Sequence, residues 1–159
     1  MSTDVKAMTE DEILERIIRL GFDGDRARFD AFKEKLRAGL PEGTGVALRG
    51  SVVTNQKYED GRPFDADGKG TSDLDVTLIG TGAMDCWDKG EFYIPALHTK
   101  PLCDKESHIA PDLNPLREEL QRLVGRPVNF QATANIILFG RDVLFDEPYV
   151  VIVEPGDAS

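Results

Sequence analysis

Two short segments of this chain carry residue types suited to handling phosphate and metal. Gly50-Ser51 follows a brief apolar run, and Ser72-Asp73-Leu74-Asp75-Val76 opens another. In a strand, residues two apart point to the same side, so Asp73 and Asp75 present two carboxylates from one face. Two like charges held together without a partner are costly, and one of them tends to take up a proton. A divalent cation removes that cost, and hard oxygen ligands suit Mg²⁺. A Gly-Ser turn beside a metal-holding Asp pair is what phosphoryl or nucleotidyl chemistry needs. Each residue also has a plainer reading. Asp73 and Asp75 alternate with Leu74, Val76 and Leu78 as in any strand with one solvated face; Ser51 suits a helix N-cap; Gly50 suits a tight turn.

The elements that must position these residues are legible in outline. Thr9-Glu10-Asp11-Glu12 has the pattern of a capping box. Ile13, Ile17 and Leu20, flanked by Leu14 and Ile18, form a helical stripe that Gly21 ends. A second helix fits Asp25 to about Leu40, through Phe29, Phe32, Leu36 and Leu40. Pro41 to Gly45 is a loop, and Gly45 to Leu48 reads as a short strand leading into Gly50-Ser51. Residues 54–71 are polar and turn-rich, a loop long enough to suggest function. Leu74 to Ile79 is a buried strand closed by Gly80-Thr81-Gly82. The segment from Ala83 to Pro111 reads mostly as an inserted loop or lid, with room for a short helix or strand. Asp112 to Gly125 is the clearest helix, with Asn114 as cap, Pro115 in the first turn and Gly125 as stop. Pro127 to Phe130, Asn135 to Phe139, Val143 to Phe145 and Tyr149 to Val153 are predicted strands, and Glu154 to Ser159 is expected to fray. The order predicts one mixed α/β (α+β) domain over residues 1–159, with two N-terminal helices and a core over about 44–147.

With 19 Lys and Arg against 29 Asp and Glu, the net charge is −10. Affinity for a nucleic-acid backbone comes largely from Lys and Arg, so general nucleic-acid binding is not expected. The polar, acidic start is unlike a signal peptide, no apolar run is long enough to span a bilayer, and two cysteines make no disulfide framework. These features predict a cytoplasmic protein with no membrane partner.

Three further clusters invite chemistry. Asp65-Ala66-Asp67-Gly68-Lys69-Gly70 resembles a calcium loop but lacks the bidentate Glu, since Val76 stands at the twelfth position. Lys57 or Lys69 in this loop could instead meet phosphate. Cys86, His98, Cys103 and His108 could ligate zinc, although their spacing lacks the usual close Cys pair. Trp87, Phe92 and Tyr93 could stack a base or anchor their loop to the core.

Leu48-Arg49-Gly50-Ser51 followed by Thr71-Ser72-Asp73-Leu74-Asp75-Val76 resembles the signature of the DNA-polymerase-β-like nucleotidyltransferase superfamily. The run from Leu138 to Asp146 also resembles the closing hairpin of the minimal nucleotidyltransferase domains. The resemblance implies a nucleotidyltransferase-type mixed β-sheet flanked by helices. Gly50 and Ser51 would bind the triphosphate of a nucleoside triphosphate such as ATP. Asp73 and Asp75 would be catalytic and would hold Mg²⁺ or Mn²⁺ for an in-line displacement that releases pyrophosphate. Active members carry a third carboxylate on a later strand, and the matching run, Gly125 to Gln131, has Asn129 there. An amide carries no charge and cannot act as a base. Glu154 and Glu91 are candidate substitutes.

Two expectations follow from different classes. One is an enzyme that moves a nucleoside monophosphate from an NTP to a hydroxyl on a small molecule, RNA or protein. The other is a catalytically degenerate binding module, antitoxin-like or nucleotide-binding, with a protein or nucleotide partner. The intact Asp pair favours the first; Asn129 and the small size favour the second.

Overall fold

Thr9 begins the first helix as its residue pattern requires. Its hydroxyl accepts from the Glu12 amide at 3.1 Å, and Glu12 returns the bond to the Thr9 amide at 2.8 Å. The computed structural model describes residues 8–57 and 60–156. Helix α1 (Glu10–Gly21) and helix α2 (Arg26–Gly39, capped by Asp25) lead to strand β1 (Gly45–Arg49) and the single turn α3 (Ser51–Thr54). After the 54–71 loop come β2 (Leu74–Ile79), a short α4 (Thr81–Met84), β3 (Phe92–Ile94) and β4 (His98–Thr99). Two 3-10 turns precede α5 (Asn114–Val124); β5 (Val128–Thr133), α6 (Ile136–Asp142) and β6 (Tyr149–Val153) complete the order.

The protein is a mixed α/β fold around one six-stranded sheet of order β3-β4-β5-β2-β1-β6. Strands β1 and β2 run antiparallel with Arg49 opposite Asp75, and β2 and β5 run parallel with Asp75 opposite Asn129. Side-chain alternation sorts the two faces. Leu48, Leu74, Val76, Leu78, Val128, Phe130 and Ala132 are buried in the main core with Ile17, Phe22, Phe32, Leu36 and Leu120 from the three long helices. The other face carries Arg49, Asp75, Thr77, Asn129 and Gln131, and Phe139 of α6 packs against the Arg49 guanidinium there.

Four expectations are corrected. Asn135 to Phe139 is not a strand, and no hairpin closes over Leu138 to Asp146. The Asn135 side chain accepts from the amides of Ile137 and Leu138, which starts α6, and turns fill the stretch from Val143 to Pro148. A short apolar run has no period that separates helix from strand, so the cap decides it. Asn114 is not a cap: it is the first residue of α5, its Nδ2 donates to the Ser107 carbonyl and its Oδ1 accepts from Arg117. The 83–111 segment is more ordered than a loop or lid: it holds the short strands it had room for, β3 and β4, which extend the sheet beyond β5, and Trp87 anchors it to the core, donating to the Lys100 carbonyl. The Gly156 amide bonds the Gly43 carbonyl, so the chain stays anchored there; residues 157–159 of the expected frayed end, and residues 1–7 of the acidic start, lie outside the described residues. No described helix is long and apolar enough to cross a membrane.

Candidate functional site

Asp73, Asp75, Gly50 and Ser51 converge at one end of the sheet, where β1 ends and the parallel pair β2 and β5 begins. They line a cleft of about 260 Å³ with Thr54, Lys57 and Glu147 on its walls. Gly50 has φ +81° and ψ −153°, a conformation open essentially to glycine alone. A Cβ built there would stand 2.8 Å from Asp75 Oδ2, so the bare Cα is what lets the carboxylate sit against the turn. Gly50 takes the cap position of α3 and Ser51 is its first helical residue, which leaves the Ser51 side chain on the cleft instead of capping. Behind the turn, α1 packs closely enough that a Cβ on Gly21 would touch Leu74 and Val52. Arg16 of α1 also donates to the Val53 carbonyl.

Asn129 stands where the third acid was expected. Its Nδ2 donates to Asp73 Oδ2 at 2.8 Å and to Asp75 Oδ1 at 3.3 Å. Only the NH₂ end of an amide can face two ionised carboxylates, so the side chain works as a neutral bridge that softens their repulsion. It is placed rigidly: Gln121 Oε1 accepts from the Val128 amide, and the buried Arg117 donates to the Val128 carbonyl. A second source of balance is Arg49, whose Nε donates to Thr77 and whose Nη2 donates to Gln131. Burial pushes the Arg49 guanidinium below its ordinary value, and the Asp75 carboxylate opposes that shift.

The described part of the 54–71 loop both lines the cleft and braces it. Asp65, at φ +60°, accepts from Arg126 Nη1 at 2.7 Å and Nη2 at 3.0 Å and exchanges bonds with Ser72 through both backbone amides. Arg126 also donates to the Ser72 carbonyl and stacks its guanidinium over Phe64 at 4.6 Å. The residue before Asp73 is thereby tied to the segment that leads into β5. Burial tends to raise the Asp65 pKa, but the hydrogen bonds from Arg126, Ser72 and Gly70 outweigh it and hold the carboxyl below its ordinary value. This use of Asp65, and the pairing of Asp67 with Lys57 and Arg62, replaces any calcium-loop role.

The remaining sequence candidates separate. Lys57 lines the cleft, whereas Lys69 lies on a different one. Glu154 sits at the far end of β1 and Glu91 pairs with Lys100, so neither can replace the third acid; the other acid on the cleft is the exposed Glu147, in the turn before β6. His98 is fully buried between Thr133 and Asp142 rather than beside a cysteine. Trp87, Phe92 and Tyr93 do not line the cleft. Sequence reasoning missed Arg49, Asp65, Arg126 and Glu147. Arg49 alone left a signal, as a charge ending an apolar strand beside Gly50.

The oxygen-bearing side chains on the cleft include two close carboxylates, Asp73 and Asp75, and the Ser51 hydroxyl, a chemistry that fits Mg²⁺. Among the described residues no three His, Cys, Asp or Glu side chains are grouped to hold a metal, so the fit is to a two-carboxylate site completed by the ligand's own oxygens. No protein-family model, curated protein or solved structure matches the chain.

Proposed function

We propose that the protein is a nucleotidyltransferase-type domain that binds a Mg²⁺-complexed nucleoside triphosphate in the Gly50–Asp75 cleft, and that it has become a binder with little or no transfer of its own. The observation that carries this reading is the Asn129 amide bridging Asp73 and Asp75. Two carboxylates and an amide can share one cation with phosphate oxygens. They leave no carboxylate between the pair and an acceptor hydroxyl to take its proton. The Gly50-Ser51 turn lets phosphate approach the backbone closely, and Lys57 on the cleft wall adds positive charge near it. When bound, Mg²⁺ would neutralise phosphate charge against Asp73 and Asp75.

A second reading, transfer of a nucleoside monophosphate to a hydroxyl, is favoured by Glu147, the remaining acid on the cleft rim. The experiment titrates each labelled NTP with Mg²⁺ or Mn²⁺, then incubates the complex with the protein itself and with cellular RNA. Saturable, metal-dependent binding that Asp73→Asn with Asp75→Asn abolishes, without product, supports the binder. Labelled product that disappears in Glu147→Gln supports the transferase. No NTP binding with either metal overturns both.

A further inference from the structure

A second cleft, of about 380 Å³, opens on the other side of the Lys69–Ser72 segment. Arg28 of α2, Lys69 of the loop, Arg122 of α5 and Arg126 line it, with Asp23 as the single carboxylate. Asp65 already answers the charge of Arg126. Three cations then face Asp23, which pairs with Arg28 at 2.7 Å and reaches Lys69 only at 3.7 Å. In a chain of net charge −10, this is a local inversion of sign, assembled from four separate elements.

The wall of the cleft adds a second observation. The Arg126 side chain is 2% exposed, and all its Nη bonds are used by Asp65, Ser72 and Leu20. Its Nε–H is buried and finds no acceptor among the described protein atoms. A buried charged donor without an acceptor is costly. Gly70 and Gly125 line the same cleft, and a Cβ on Gly70 would stand 2.8 Å from the Gly125 carbonyl oxygen, so the loop lies close against the start of the β5 lead-in.

We propose that this cleft binds the phosphate group of a small soluble ester. Arg28, Lys69 and Arg122 meet the oxygens at the rim, and one oxygen becomes the acceptor for Arg126 Nε–H. The overall acidity argues against a nucleic-acid backbone as the source of the phosphate. Because Arg126 also holds Asp65 and Ser72, a phosphate there bears on the segment that carries Asp73. The site does not rest on the proposed nucleotide cleft and needs no divalent cation.

The test titrates inorganic phosphate into the metal-free protein and follows backbone amides and arginine Nε–H groups by NMR, against sodium chloride of matched ionic strength. Saturable shifts at Lys69, Gly70 and Arg122 to Arg126, including Arg126 Nε–H, are expected. Asp23→Asn removes the competing carboxylate and should tighten binding about threefold. Lys69→Gln with Arg122→Gln should weaken it about fivefold or more. Both variants change exposed side chains, and unaltered spectra elsewhere show that they fold. Shifts no larger than chloride produces, shifts confined to Gly50 and Ser51, or no gain in Asp23→Asn would each overturn the proposal.

Discussion

Gly50→Ala tests the geometry of the candidate site most directly, because two separable penalties fall on one methyl group. The first is conformational: φ +81° with ψ −153° lies in a region that costs a non-glycine residue about 1–3 kcal/mol. The second is contact: the new Cβ would stand 2.8 Å from Asp75 Oδ2, so the carboxylate or the turn must move. Overpacking of this kind costs about 1–3 kcal/mol, which brings the sum to about 2–6 kcal/mol. Gly125→Ala is the matched control. Gly125 has φ +70° and ψ 29° at the end of α5, with nothing within 4 Å of a built Cβ, so it carries only the left-handed cost, about 1–2 kcal/mol. Urea unfolding measures both. The contact also predicts that Mn²⁺ affinity falls about tenfold or more in Gly50→Ala and stays unchanged in Gly125→Ala. Equal destabilisation by the two variants, with Mn²⁺ affinity intact in both, would refute the argument that Gly50 exists to seat Asp75.

Asp65→Asn leaves the buried Arg126 guanidinium without its charged partner and should cost about 3 kcal/mol by urea unfolding. The sign of its pH dependence follows from the depressed carboxyl. The stabilisation is complete above the ordinary value of 3.8 and is lost as pH falls through the lower folded value. The wild type should therefore show a steeper acid loss than Asp65→Asn, and parallel curves would count against the buttress. Asn129→Asp replaces the neutral bridge by a third negative charge and should destabilise the metal-free protein by about 2 kcal/mol. Mg²⁺ should then raise its melting temperature more than it raises that of the wild type, as scanning calorimetry would read; equal shifts would contradict the bridge. His98→Ala removes a fully buried ring that joins β5 to α6 through Thr133 and Asp142, and should cost about 2–3 kcal/mol. Hydrogen exchange should locate the loss in α6, and uniform loss across the sheet would show the contact to be incidental.

Where a local rule operates, sequence and structure agree. The Thr9 capping box, the apolar stripes of α1 and α2, the stop at Gly125 and the β1, β2 and β6 strands all follow from spacing within one element. The convergence of Gly50 with Asp73 and Asp75 was legible because each pair sits at a strand end. What stayed hidden depends on contacts distant in sequence. Asp65 and Arg126 meet only after β2 and β5 pair, and no pattern within either segment links them. The α6 helix was hidden because Ile136 to Phe139 is too short a run for periodicity to discriminate, and the Asn135 cap looks like any loop asparagine. The two short strands within 83–111 could not be placed from the sequence because prolines and charges interrupt them and their pairing is with β5 and with each other.

Asn129 links the fold to the chemistry. The parallel register of β2 and β5 puts it directly opposite Asp75, and the amide orientation is then dictated by its neighbours, since two carboxylates accept only from NH₂. A cation between Asp73 and Asp75 would compete with that NH₂ for the same oxygens, and Asp73, Asp75 and the Asn129 carbonyl oxygen would be the residues to hold it. The Asn129 amide thus joins the two carboxylates as a neutral bridge, which a bound cation would have to replace. An Asp at position 129 would have the opposite balance, repulsive when empty and strongly attractive when loaded. The native choice therefore trades affinity for cation against order in its absence. On the proposed reading, the bridge would keep Asp73, Asp75 and Gly50 in place until a cation bound with its phosphate ligand.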